Sequence, residues 1–209
     1  MAALPVIAAV GVFGVSFGVL AAAAGFPAWL AVVMSATVFA GSSQFAAVSV
    51  LGAGGSPAAA VLSGVLLNSR YLATGAVAAP VLPGRRVGKW LLAQLVVDES
   101  YAVGVGAGTA GVPEPRAMVG TGAGLWVAWV LGTALGGWLG PVLGDPQRLG
   151  LDAAFPALFV ALLWPMLRDR AGLRAAVAGA AVAVALSPFT PAGVPLAAAA
   201  VTGFAVARN

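Results

Sequence analysis

Three charged side chains set in apolar surroundings are the means by which this chain could hold a charged ligand or carry a proton: Arg70, Asp98 and Glu99. Arg70 is the first charged residue of the sequence and lies inside a run that is otherwise apolar from Pro57 to Val81. Burying an arginine midway across a bilayer costs about 2.5–3.5 kcal/mol on insertion scales, so a chain that keeps one there is expected to use it. A guanidinium binds carboxylates. Asp98 and Glu99, one apolar segment further on, are its partner candidates, and each could accept an ammonium group or a proton. Hydroxyl and amide groups that could join them are Ser42, Ser43 and Gln44, in the midst of a second apolar stretch, and Asn68 and Tyr71, which flank Arg70. The alternative is an Arg70–Asp98 ion pair that only joins two helices. Glu99 points about 100° away from Asp98 on a helix, so both are not expected to serve one site. Asp98 is favoured because Gln94, four residues earlier, shares its face.

Composition defines the medium these groups sit in. Of 209 residues 61% are hydrophobic and 8% charged, against about 25% charged in a typical soluble domain; mean hydropathy is +1.04. Such a chain cannot cover a water-facing surface and reads as an integral membrane protein. The ten-residue alternation of a transmembrane barrel is absent, so the spans are helices, which satisfy their own backbone in lipid. The net charge of +4 does not point to nucleic acid, because the few bases lie beside apolar spans, where they set orientation. With no cysteine and no histidine, disulfides, thiol chemistry, imidazole metal ligands and a Ser–His nucleophile are all excluded. Two adjacent acids on different helix faces do not make a metal site. No catalytic residue, metal or cofactor is expected, and the chain is not read as an enzyme. It is read as one transmembrane domain over residues 1–209, all-α, a polytopic bundle of about seven (six to eight) helices with at least one broken or re-entrant.

Segment one runs from about Leu4 to Ala24. A cleaved signal is its alternative reading, but no basic stretch precedes it. Gly14 and Gly18 in this segment form a GxxxG pair suited to close helix approach. Segment two, about Ala28 to Leu51, is interrupted at Phe39–Phe45, where small and polar residues offer donors near mid-depth, as discontinuous transporter helices do. Segment three, Pro57 to about Ala79, places Arg70 roughly 20 Å from its start and roughly 14 Å from its Pro80 end. The loop to Lys89 carries three bases and no acid and is expected to be cytoplasmic, with Trp90 in the interfacial belt. Segment four, Trp90 to about Thr109, puts Asp98 about 12 Å in, level with Arg70 if the two segments form an antiparallel hairpin. Segment five, about Ala117 to Leu143, carries glycines 120, 124, 132, 136 and 140, a packing ladder. Segment six, Leu151 to Leu167, is short and proline-broken and ends in Arg168-Asp169-Arg170 with Arg174 close by, a second basic loop. Segments seven, about Ala175–Leu186, and eight, about Val194–Val206, fall short of the ~20 residues of a straight span. Two cytoplasmic basic loops require an even number of crossings between them, and three apolar stretches lie there. Segment six is therefore expected to be re-entrant, unless one loop violates the rule.

In order along the chain, Phe17-Gly18, Met34-Ser35, Val38 to Phe45, Asn68-Ser69-Arg70-Tyr71 and Asp98-Glu99-Ser100-Tyr101 resemble the motifs of the AzlC family, the large subunit of branched-chain amino acid exporters. Asp152 to Phe159 resembles the family's stretch before its proline-broken span, so the likeness covers essentially the whole chain. Departures are Tyr71, where the family commonly has histidine, and the lack of the short polar segment that usually precedes the first span, so that a trimmed start is expected. The resemblance implies a transporter in the cell membrane that exports valine, leucine and isoleucine with a small hydrophobic AzlD-type subunit. With no ATPase in the chain, proton coupling through Asp98 or Glu99 is the expected drive. Substrate contacts are expected from Ser42, Ser43, Gln44, Asn68, Arg70 and Tyr71. A non-transporting assembly subunit of a membrane complex is the competing class.

Overall fold

The computed structural model describes residues 3–143, 160, 164, 166–190 and 193–207. Among them the chain is helical, with one isolated β-bridge, Thr109 to Val112, in the turn between two helices. The helices are α1 (Ala3–Ala23), α2 (Ala28–Val38), α3 (Gly41–Gly52), α4 (Pro57–Asn68), α5 (Tyr71–Ala78), α6 (Arg86–Ala93), α7 (Asp98–Ala107), α8 (Pro115–Leu143), α9 (Arg170–Leu186) and α10 (Val194–Ala207). Two are by themselves long and apolar enough to cross a membrane, over Ala3–Ala23 and Pro115–Gly140. The proline-broken stretch and its motif from Asp152 to Phe159 lie outside the described residues.

α1 and α8 form the spine. Their glycines let the two backbones touch, because a Cβ at Gly14 would come within 2.7 Å of the Trp129 carbonyl oxygen. A Cβ at Gly18 would collide with the Thr133 carbonyl, and one at Gly136 with that of Val15. In lipid, where apolar surface gains little by burial, such close approach and its dispersion contacts drive helix pairing. Phe17 from α1, Phe45 from α3 and Trp129 from α8 meet at the centre, with ring centroids 5.4–6.2 Å apart.

Around that spine the apolar segments are interrupted. Segment two breaks at Phe39, whose backbone is left-handed (φ 43°, ψ 51°), and α3 begins at Gly41. A bulky residue in that region stores of order 1–3 kcal/mol of strain; burial of the Phe39 ring in the core holds it there. Segment three pauses more gently. Ser69 and Arg70 stay right-handed, but the turn tightens to i−3 bonds, Leu72 N–H to Ser69 O (3.1 Å) and Ala73 N–H to Arg70 O (3.3 Å).

Segment four departs from the single rod that its sequence suggests. α6 ends at Ala93, Val97 is extended (φ −118°, ψ 170°), and α7 starts at Asp98. Ser100 causes the break: its hydroxyl accepts from Val97 N–H (2.9 Å) and reaches back to the Leu95 carbonyl (2.9 Å). A serine that binds backbone in this way offers the chain an alternative to continuing the helix. Gln94 therefore does not share a face with Asp98. It donates to the Thr37 carbonyl at 2.7 Å instead, bracing the end of α2.

Candidate functional site

The breaks bring the first turns of α3 and α7 and the pause at Arg70 to one place. Arg70 Nη2 lies 2.9 Å from Ser42 Oγ, 3.1 Å from Asp98 Oδ2 and 3.3 Å from the Tyr71 hydroxyl, and the guanidinium carbon sits 5.1 Å from the Tyr71 ring centre. Arg70 and Asp98 side chains keep 34% and 29% of their exposure, so the pair borders a space and is not sealed in the core. Arg70 Nε is buried without a hydrogen-bond partner among the described residues.

That space is a cavity of about 380 Å³, in the size range of small-molecule sites. Its polar lining comes from Ser42, Arg70, Tyr71 and Glu99; Phe13, Phe39, Leu125, Val97 and Trp129 belong to its apolar wall. The two acids are placed differently from what a continuous helix implies. Asp98 is turned onto the guanidinium, and Glu99 lines the cavity beside the same arginine. The angular offset between neighbouring residues thus gives them different neighbours at one place and does not send them to two.

The remaining residues expected at the site lie apart from the cavity. Gln44 is fully buried and works as a core bracket. Its Oε1 accepts from Trp129 Nε1 (3.0 Å) and Ala40 N–H (3.2 Å), and its amide donates to Ser35 Oγ (3.0 Å). Ser35 and Thr133 hydroxyls are 2.8 Å apart, and Thr133 donates to the Trp129 carbonyl, which leaves Ser35 as donor in that pair. Gln44 thereby ties the strained break to α8. Ser43 donates to Asn68 Oδ1 and to the Gly64 carbonyl. Both Ser43 and Asn68 face a separate groove of about 650 Å³ between α2, α3 and α4. Sequence reasoning gave no role to Ser35, Ser100 or Thr133, nor to the α1 wall at Val6, Val10 and Phe13; a serine or threonine in an apolar helix was the only available signal.

Interrupted helices whose first turns point at a half-buried ion pair beside an apolar cavity define a class, that of membrane transport proteins. The chain belongs to the AzlC family: the family model described as AzlC protein matches residues 5–143. An uncharacterized membrane protein of Archaeoglobus fulgidus is 35% identical over 190 residues, 90% of this chain and 83% of the relative. The branched-chain amino acid transport protein AzlC of Bacillus subtilis is 29% identical over 166 residues, 76% of this chain, which spans only 63% of that protein's length. An uncharacterized membrane protein of Haemophilus influenzae is 30% identical, with 76% and 66% covered. No solved structure matches the chain.

Proposed function

We propose that this chain is the large subunit of a multi-pass cell-membrane exporter of branched-chain amino acids. It is a single bundle of about seven spans, coupled to protons and assisted by a small AzlD-type membrane subunit. The observation that carries the reading is the cavity, in which a cation, an acid and an apolar wall surround a space of small-molecule size. A zwitterion with an aliphatic side chain needs those three things. Its carboxylate takes the Arg70 guanidinium, the Ser42 hydroxyl and the free N–H groups of the first turn of α3, where the helix dipole also favours an anion. Ser42 Oγ already accepts from Arg70, so its own hydrogen remains to donate. The ammonium is received by Glu99, and valine, leucine or isoleucine side chains lie against Leu125, Val97 and the aromatic rings. The name of the Bacillus relative supports this choice of substrate.

Drive follows from competition at Asp98. An ionised Asp98 joins Glu99 in holding the substrate ammonium, and a proton taken up from outside neutralises it, so that substrate leaves outward and the proton is released inside before the next substrate binds. Proton and substrate thus move in opposite directions, as export driven by an inward proton gradient requires. Flux of labelled valine is measured in proteoliposomes that contain the chain and an AzlD-type partner, under an imposed pH gradient. Valine flux that the gradient accelerates is expected. Full pH-driven flux in Asp98→Asn sinks the coupling role, and no valine flux in the unaltered protein sinks the substrate. In cells, deletion of the gene is expected to sensitise growth to excess valine.

A further inference from the structure

We propose a binding site for the headgroup of an anionic phospholipid, in the groove between α6 and the turn that ends α5. The groove has a volume of about 490 Å³ and is lined by Ala79, Leu82, Arg86, Lys89, Trp90, Ala93 and Gln94. Arg86, Lys89, Trp90 and Ala93 follow the spacing i, i+3, i+4, i+7, so one helix face carries two cations toward it. Among the described residues these cations have no acid to neutralise them. No Asp or Glu occurs between Arg70 and Asp98 in the sequence, and among the described residues the one salt bridge is that of Arg70 with Asp98. Lys89 Nζ donates to the Ala79 carbonyl at 3.3 Å, which fixes the amine at the groove and leaves its other hydrogens free. Arg85, just before the helix, adds a third positive charge.

The apolar surroundings choose a lipid over a soluble anion. Val87, Trp90 and Leu91 are 76%, 82% and 70% exposed, a surface suited to acyl chains and not to water. A short helix with bases beside exposed Trp and Leu is built for the headgroup–acyl boundary, and basic pockets at that depth bind acidic headgroups. A zwitterionic headgroup brings its own ammonium and gains less from Arg86 and Lys89.

The test is thermal unfolding of the purified full-length chain in neutral detergent with dioleoylphosphatidylglycerol, dioleoylphosphatidylcholine or glycerol 3-phosphate added. Phosphatidylglycerol is expected to raise Tm by about 2–4 °C, the size a bound ligand produces in a chain of this length, with no comparable rise from the other two. Arg86→Gln with Lys89→Gln is expected to remove most of the rise. The charge-matched control, Arg168→Gln with Arg174→Gln in the basic cluster at the start of α9, is expected to keep it. An equal rise with phosphatidylcholine or glycerol 3-phosphate, a full rise in the Arg86/Lys89 variant, or equal loss in the control overturns the site. Should the double variant not purify, Arg86→Gln alone, at an exposed position, is expected to lose about half of the rise and of the phosphatidylglycerol adducts counted by native mass spectrometry; unchanged values there overturn the site equally.

Discussion

Arg70 Nη2 stands within bonding distance of three oxygens, those of Ser42, Asp98 and Tyr71, yet it carries two hydrogens. One acceptor is surplus, while Nε has none among the described residues. An arginine arranged in this way can take on a substrate carboxylate at little cost, as the proposed site requires. Lysine offers a point charge in place of a planar fork, so Arg70→Lys is expected to reach the membrane folded but to lose at least about tenfold in valine flux, the equivalent of ~1.4 kcal/mol. The two acids are expected to separate: Glu99→Gln weakens substrate binding at every pH, and Asp98→Asn flattens the dependence of flux on the pH gradient. Counterflow and gradient-driven flux measured side by side distinguish them, and identical profiles for both variants sink the division. Depth counting in the sequence brings Arg70 and Asp98 level, and the structure places them 3.1 Å apart. The place of Glu99 was not legible, because it depends on a break set by Ser100 and a carbonyl five residues before it. Nor could the sequence tell that Ser43 and Asn68 turn to another groove while Ser42, their neighbour, faces Arg70.

At the level of the helix, spacing shows that glycines pack but not which ones. Gly120 and Gly136 look alike in the α8 ladder. A Cβ at Gly136 overlaps the Val15 carbonyl, whereas one at Gly120 meets nothing within 4 Å. Gly136→Ala is expected to abolish a monodisperse peak in size-exclusion chromatography, and Gly120→Ala to be tolerated or to stabilise by about 0.5–1 kcal/mol through better helix propensity. The start of α8 provides a pH test outside the spans. Glu114 accepts from the Ala117 N–H, and this bond together with that from the Arg116 N–H holds its carboxyl below the usual glutamate range. A carboxyl depressed by folding adds stability that is present above its unfolded pKa and is lost as pH falls through the folded value. Glu114→Gln is therefore expected to lower Tm slightly at neutral pH, with the difference from the unaltered protein vanishing in acid. Where the second half of a broken segment starts was less legible than where the segment itself starts, because α3 begins at a break braced by a distant partner, Trp129 for Gln44, and α7 at one set by Ser100.

For the molecule as a whole, hydropathy gave the class and most of the segments, while long helices alone recover two spans. The interrupted pairs account for three more: α2 with α3, α4 with α5, and α6 with α7 each supply one apolar segment of the proposed bundle in two pieces, and α9 and α10 are shorter helices besides. That reading makes a prediction about sides. If α6 with α7 cross once and α8, about 43 Å long, crosses once, the chain at Leu143 has returned to the side of the 80–89 loop. The basic cluster at Arg168, Arg170 and Arg174 is then expected to share that side under the distribution of positive charge, which requires an even number of crossings, or none, between Leu143 and Arg168. With no native cysteine, single cysteines report position cleanly. Cysteine at Pro83 and at Ala171 is expected to react with a membrane-impermeant maleimide only after cells are opened, and cysteine at Ala53 to react in intact cells. Labelling of Pro83→Cys and Ala171→Cys from opposite sides would refute that parity and add a full crossing. It would leave the Arg70 site intact, because every residue of that site lies before Leu143.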